Sequence, residues 1–222
     1  MSWYSHFFSS SIGKKVQMAV TGILLCLFLI IHLVGNLFLF AGPEAFNSYV
    51  STLDVIKPLI RVIEVLLALI FIGHIINALR TTLENRRSNP GKYDVSKAGE
   101  TSTISSRTMG WTGSVLFIFL VVHLSTIWWR FQFLHEEGQY FGVVMGNEVG
   151  FGNIAVTLLY AVAMFLLGFH LRHGFLSAFQ TFGLRYNKYG QFLEWIAILF
   201  WLIIPLGFLS IPIYFGFMKG GF

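Results

Sequence analysis

The chain has 222 residues, of which 55% are hydrophobic and only 11% charged, with a net charge of +5, and its mean hydropathy is +0.71. An ordinary soluble domain carries about 25% charged residues, so this composition excludes a water-soluble enzyme, a nucleic-acid binder and a disordered chain. It points instead to lipid as the solvent, with an all-α fold: a helix spans a bilayer with about 20 apolar residues, and five of them would use about half of the chain.

In chain order, residues 1–12 carry Trp3, Tyr4, Phe7 and Phe8 and read as an interfacial segment with its rings at headgroup level. No charge lies between Lys15 and Glu44, Arg107 and Arg130, Glu148 and Arg172, or Glu194 and Lys219. These stretches predict helices over 16–40, 112–129, 153–171 and 192–215. A further helix over 59–79 spans only if Arg61 and Glu64 sit at the interface, where their three-residue spacing lets them pair. The first run is too long for a signal-peptide core and lacks a small-residue cleavage site, so it is expected to be retained. Pro205 and Pro212 are expected to kink the last helix. Neither an internal repeat nor a low-complexity tract is read in the chain.

Lysines and arginines set the orientation. Lys14, Lys15, Arg80, Arg86, Arg87, Lys92, Lys97, Arg107, Arg172, Arg185 and Lys188 fall on one side, and Lys57, Arg61, Arg130 and Lys219 on the other. The richer side is cytoplasmic by the positive-inside rule, which puts the N-terminus inside and the C-terminus outside. The stretch between Arg80 and Trp111 is then the longest inner connection.

Cys26 is the one cysteine, which excludes an intrachain disulfide and a cysteine-ligated iron–sulfur cluster. The histidines carry the chemistry. His32, His74, His123 and His170 fall one per helix in the first four helices, and an ionisable group inside a membrane helix marks a functional site. Orientation turns their positions into depths. His32 and His123 fall in the outer half, His74 and His170 in the inner half, with the two levels roughly 10 to 15 Å apart at the helical rise per residue. Two pairs of imidazoles inside a bundle form the axial ligand set of two six-coordinate haems. A proton relay or another metal site would gather at one depth and use acidic partners, which the mid-helix positions lack. His173, three residues after His170 on the same face, competes with it for the inner pair. His6 and His135 read as interface or loop residues. Gly22, Gly35, Gly73, Gly113, Gly168 and Gly174 would clear helix surface for a porphyrin.

With these residues in place the chain resembles the cytochrome b membrane subunit of bacterial succinate dehydrogenase and quinol:fumarate reductase, in its single-subunit, five-helix, two-haem form. The matching stretches are His32-Leu-Val-Gly-Asn36, Glu44-Ala-Phe-Asn47, His74, His123, Phe169-His170-x-x-x-Gly174 and Ser177-Ala-Phe179. The resemblance implies two haem b groups, an outer one on His32 and His123 and an inner one on His74 and His170. It implies a quinone, most often menaquinone, and a place in the bacterial cytoplasmic membrane. It also implies two partners on the cytoplasmic face, a flavoprotein with FAD and an iron–sulfur protein, so the dicarboxylate site lies off this chain. Arg130, Arg172 and His173 are candidate haem-propionate contacts. Glu44, Asp54 and Glu64 are candidate proton carriers for quinone chemistry near the outer haem. Other readings are a di-haem subunit of another membrane-bound dehydrogenase, such as a hydrogenase or formate dehydrogenase, a haem-free anchor, and a transporter. A transporter would show broken helices or paired repeats.

Overall fold

A computed structural model describes residues 9–88, 103–134, 139–184 and 189–219. Trp3, Tyr4, His6, Phe7, Phe8, Lys92, Lys97, His135, Arg185 and Lys188 lie outside the described residues, as does the side chain of Arg86. Eight helices are described: α1 Ser11–Ala41, α2 Pro43–Val55, α3 Lys57–Ser88, α4 Ile104–Arg107, α5 Met109–Phe133, α6 Tyr140–Met145, α7 Ile154–Thr181 and α8 Gly190–Met218. Five of these, α1, α3, α5, α7 and α8, are long and apolar enough to cross a membrane, and no strand occurs among the described residues.

Each spanning helix is longer than its charge-free stretch. The charges at its ends are tolerated where the helix leaves the hydrocarbon, so α3 runs on through Arg80 and Glu84, and α7 through Arg172 to Thr181. The connection between Arg80 and Trp111 is shortened accordingly, by α3 extending to Ser88 and by α4. Local chemistry sets the ends. Ser10 caps α1 by accepting from the Gly13 amide at 3.0 Å, and the Asn153 side chain caps α7 by accepting from Ala155 at 2.9 Å. Helix α7 stops at Gly183, whose φ of 74° admits a paired closure. The Leu184 amide bonds to the Phe179 carbonyl and the Gly183 amide to Gln180, both at 3.0 Å.

Helix α7 is the hub and packs against α1, α5 and α8, whereas α3 packs mainly on α1. Lys14 at the start of α1 pairs with Glu84 near the end of α3 at 2.5 Å, so these termini share one end of the bundle, the basic end. The outward faces are apolar: Ile31, Leu69 and Phe165 are 70%, 60% and 59% exposed, a belt suited to lipid. Buried Asn77 of α3 donates to Gln17 of α1 at 3.2 Å. Without a hydrophobic drive between helices in lipid, such polar contacts and close backbone approaches hold them together.

Both prolines of α8 stand beside π-helical turns. A π turn over Leu199–Ile203 precedes Pro205, and a second, Ile213–Met218, follows Pro212. Pro205 has no N–H for the carbonyl four residues back, which is Trp201. That carbonyl lies 3.0 Å from the point a Cβ on Gly168 would occupy, so α7 and α8 touch backbone to backbone there. Gly168→Ala is expected to push the helices apart and destabilise the bundle by about 1–3 kcal/mol, read as a lowered midpoint of thermal unfolding in detergent.

The far end is closed by two helices absent from the sequence expectation. Helix α2 starts at Gly42, with φ of 99° and Pro43 behind it, and packs against α6. Asn47 accepts from the Phe141 amide at 2.8 Å, and buried Tyr140 donates its hydroxyl proton to Asp54. Phe46, Tyr140, Val144 and Phe151 form a buried apolar lid. Burial raises the Tyr49 phenol above its ordinary value near 10.

Candidate functional site

Helix α1 carries His32, and α5 carries His123. Their ring centroids lie 5.9 Å apart with planes at 80°. Nearer the basic end, His74 of α3 faces His170 of α7 at 6.5 Å and 64°. A metal–imidazole bond is about 2 Å long, and a ring centre lies about 1 Å behind its nitrogen. Two imidazoles on opposite sides of one metal therefore have centres about 6 Å apart, a spacing that both pairs bracket. Among the described residues no group of three or more His, Cys, Asp or Glu side chains converges on a metal position. Ligands offered only in twos suit a metal that brings its own in-plane ligands, as haem iron does.

The surroundings of the rings decide which nitrogen is presented. Thr21 of α1 donates its hydroxyl proton to the Gln17 carbonyl at 2.7 Å and so turns a lone pair to His74 Nδ1, 3.1 Å away. Thr112 of α5 donates to the Met109 carbonyl at 3.1 Å and sits 3.4 Å from His170 Nδ1. In both rings the hydrogen belongs on Nδ1, and Nε2 keeps its lone pair for a metal. His123 Nδ1 meets the Tyr160 hydroxyl of α7 at 2.9 Å. His32 differs, because the Asn36 amide approaches its Nε2 at 3.4 Å while also donating to the His32 carbonyl at 2.8 Å. Phe28 stacks on His32 at 5.1 Å, Phe119 on His123 at 5.7 Å, and Phe208 of α8 closes on His32 at 5.7 Å.

The glycines divide by role. A Cβ on Gly22 would lie 3.6 Å from His74 Cε1, and one on Gly113 3.6 Å from His170 Cε1, so these two keep the His74–His170 level free of bulk. Gly73 has no atom within 4 Å of its Cβ position, and Gly174 meets only Met109, at 3.7 Å. Gly35 and Gly168 are packing glycines, not porphyrin surface. Gly35 takes the Tyr49 ring, and Gly168 takes the backbone of α8. Gly22 lies ten residues before His32, which separates the two levels by about 15 Å along α1, at the upper edge of the sequence expectation.

The remaining candidates are placed as follows. The ring opposite His74 is that of His170, while His173 lines a cavity between α7 and α8 at the basic end. Arg130 pairs with Glu148 at 2.8 Å. Arg172 lies two residues from His170, turned away by about 200° on the helix, with its guanidinium over the Trp201 ring at 5.2 Å. Neither arginine is therefore directed at a histidine pair. Glu44 is exposed on the first turn of α2. Asp54 takes the Tyr140 hydroxyl and pairs with Lys57 at 3.0 Å. Glu64 pairs with Arg61 at 2.8 Å, as their spacing anticipated, and also accepts from Trp128 at 2.8 Å and Gln132 at 3.4 Å. These bonds cross-link α3 to α5 at the far end.

Comparison with protein-family models, curated proteins and solved structures returns no match.

The residues that sequence reasoning missed are Thr21, Thr112 and Tyr160. A signal for two of them was present: Thr21-Gly22, Phe28 and His32 recur at the same spacing as Thr112-Gly113, Phe119 and His123. The recurrence covers four positions in each of two helices.

Proposed function

We propose that the chain is the membrane-anchoring cytochrome b subunit of a succinate:quinone oxidoreductase, holding two haem b groups in a bacterial cytoplasmic membrane. The observation that carries the reading is the meeting of four intramembrane histidines in two pairs at two levels, with 5.9 and 6.5 Å between ring centroids. The resemblance of the ordered histidines and their flanking residues supplies the enzyme class.

His32 and His123 would hold one group, and His74 and His170 the other. When bound, haem b would supply one-electron carriage. The chain's own residues prepare the sites. Thr21, Thr112 and Tyr160 fix ring rotation and the Nδ1 proton. Phe28, Phe119 and Phe208 exclude water, and the lid of α2 and α6 closes the far end. The basic end faces the cytoplasm and receives the iron–sulfur and flavoprotein partners. Quinone, most often menaquinone in relatives of this form, takes its protons near the far end. Glu64 is engaged on both oxygens by three donors and Asp54 on both by Tyr140 and Lys57, so exposed Glu44 is the better carrier.

Removing the acceptor of an Nδ1 proton makes an imidazole a weaker donor to iron and favours the reduced state. Thr21→Val and Thr112→Val are therefore each expected to raise the midpoint potential of the His74–His170 haem and leave the other unchanged, read by redox titration.

Purification of the tagged chain from its native membrane tests the whole reading. The expected result is co-purification of a flavoprotein and an iron–sulfur protein, with two low-spin haems per chain in reduced-minus-oxidised spectra. A haem content well below two per chain would sink the haem assignment, and a different set of soluble partners would sink the enzyme class.

A further inference from the structure

Three of the four intramembrane histidines are held through Nδ1: His74 by Thr21, His170 by Thr112 and His123 by Tyr160. Among the described residues none of the three is bonded at Nε2, the nitrogen left for a metal. His32 is the exception, because its bond is at Nε2, 3.4 Å from the Asn36 side-chain nitrogen. Asn36 follows His32 by one helical turn, so the two side chains share a face of α1. The same nitrogen donates to the His32 carbonyl at 2.8 Å. A carbonyl only accepts, so Asn36 turns its NH2 group to His32, and not its amide oxygen. One hydrogen serves the carbonyl and the other serves Nε2. That nitrogen then carries a lone pair and the ring proton is on Nδ1, so the lone pair taken by Asn36 is the one a metal would need. Phe28 and Phe208 flank the same ring at 5.1 and 5.7 Å and keep water from replacing a displaced donor.

We propose that Asn36 competes with iron for the Nε2 lone pair of His32 and thereby lowers the haem affinity of the His32–His123 level alone. The inference rests on the haem reading. At the His74–His170 level, Thr21 and Thr112 hold the rings from behind, and no bond has to be given up at Nε2. At the other level the Asn36 hydrogen bond must break before His32 can bind a metal. Its cost is set against binding, because a buried N–H that loses its acceptor is not repaid by water.

Titration of the full chain with haem b tests the proposal, after purification in detergent from haem-deficient cells. The two low-spin signals are followed separately and assigned with His32→Ala and His74→Ala. Asn36→Leu removes the donor and keeps the bulk, whereas Asn36→Ala removes both. Each should tighten haem at the His32–His123 level by about threefold to tenfold, the worth of one neutral hydrogen bond. The His74–His170 level should keep its affinity. Circular dichroism and the thermal midpoint report whether the bundle is intact. Agreement of the two variants ties the gain to the lost donor, and a gain in only one of them would report packing and overturn the inference. Unchanged or weaker affinity at the His32–His123 level in both variants would overturn it and leave the haem reading standing. A change of the same size at both levels would also overturn it, since Asn36 meets only His32. Haem uptake at neither level by the wild type would overturn the haem reading and this inference together.

Discussion

Replacing His32 or His123 by Ala is expected to remove one low-spin haem signal and leave the other. Replacing His74 or His170 should remove the signal that remained. On the proposed assignment each haem would rest on one imidazole from each of two helices, so loss of either partner would empty that site. The two levels are about 15 Å apart along α1 and share no ligand, so the losses should be independent. His173 lies one turn beyond His170, and the double variant H170A/H173A distinguishes true loss from recruitment of a neighbour. The measurement is haem content per chain with low-temperature difference spectra. A single variant that lost both signals while keeping its helical circular dichroism, or that kept both, would break the two-pair assignment.

The second large effect is steric. The Cβ positions of Gly22 and Gly113 stand 3.6 Å from the Cε1 atoms of His74 and His170, which is ordinary contact distance. Alanine should therefore be accepted at either position. Leucine would carry its branch into the space beside the imidazole, where overpacking cannot be relieved without moving a helix. Gly22→Leu and Gly113→Leu are expected to abolish the haem of the His74–His170 level, while the Ala variants keep it and the His32–His123 signal survives in all four. Graded behaviour of this kind separates a site that needs room from a helix contact that needs only small residues. Gly168→Ala should instead lower stability without a selective spectral loss.

The spanning helices were legible in the sequence because charge is so costly in hydrocarbon that its absence marks them. Their ends were less legible. Helices persist beyond the hydrocarbon, as α3 does through Arg80 and Glu84, and charge then no longer marks a boundary. Helix α2 was missed because its apolar face is short, although Gly42-Pro43-Glu44 carries the signature of a helix start: a glycine in the left-handed region, proline in the first turn and an early acid. The histidine depths followed from orientation and helical rise alone. What rotates each ring did not, because Thr21 serves His74 and Tyr160 serves His123 from a neighbouring helix, and no local pattern reports a contact across helices. For the same reason Gly35 and Gly168 could not be told from Gly22 and Gly113 by composition.

The recurrence of Thr-Gly, Phe and His in α1 and α5 has a geometric meaning. Thr21 and Gly22 stand to His74 as Thr112 and Gly113 stand to His170, so exchanging α1 with α5 and α3 with α7 maps each histidine pair onto itself. The local arrangement around the histidines is thus roughly two-fold, although the helix packing is not, because α7 packs on α1 while α3 does not pack likewise on α5. At the His74–His170 level the two halves match, down to equal 3.6 Å approaches of their glycines. At the other level the match fails, because Tyr160 serves His123 while Asn36 lies against His32. The two histidines nearer the basic end are therefore close to interchangeable, and their variants should give the same residual spectrum. Those of the far level are inequivalent, and that is where a difference between the two faces of one haem should be seen.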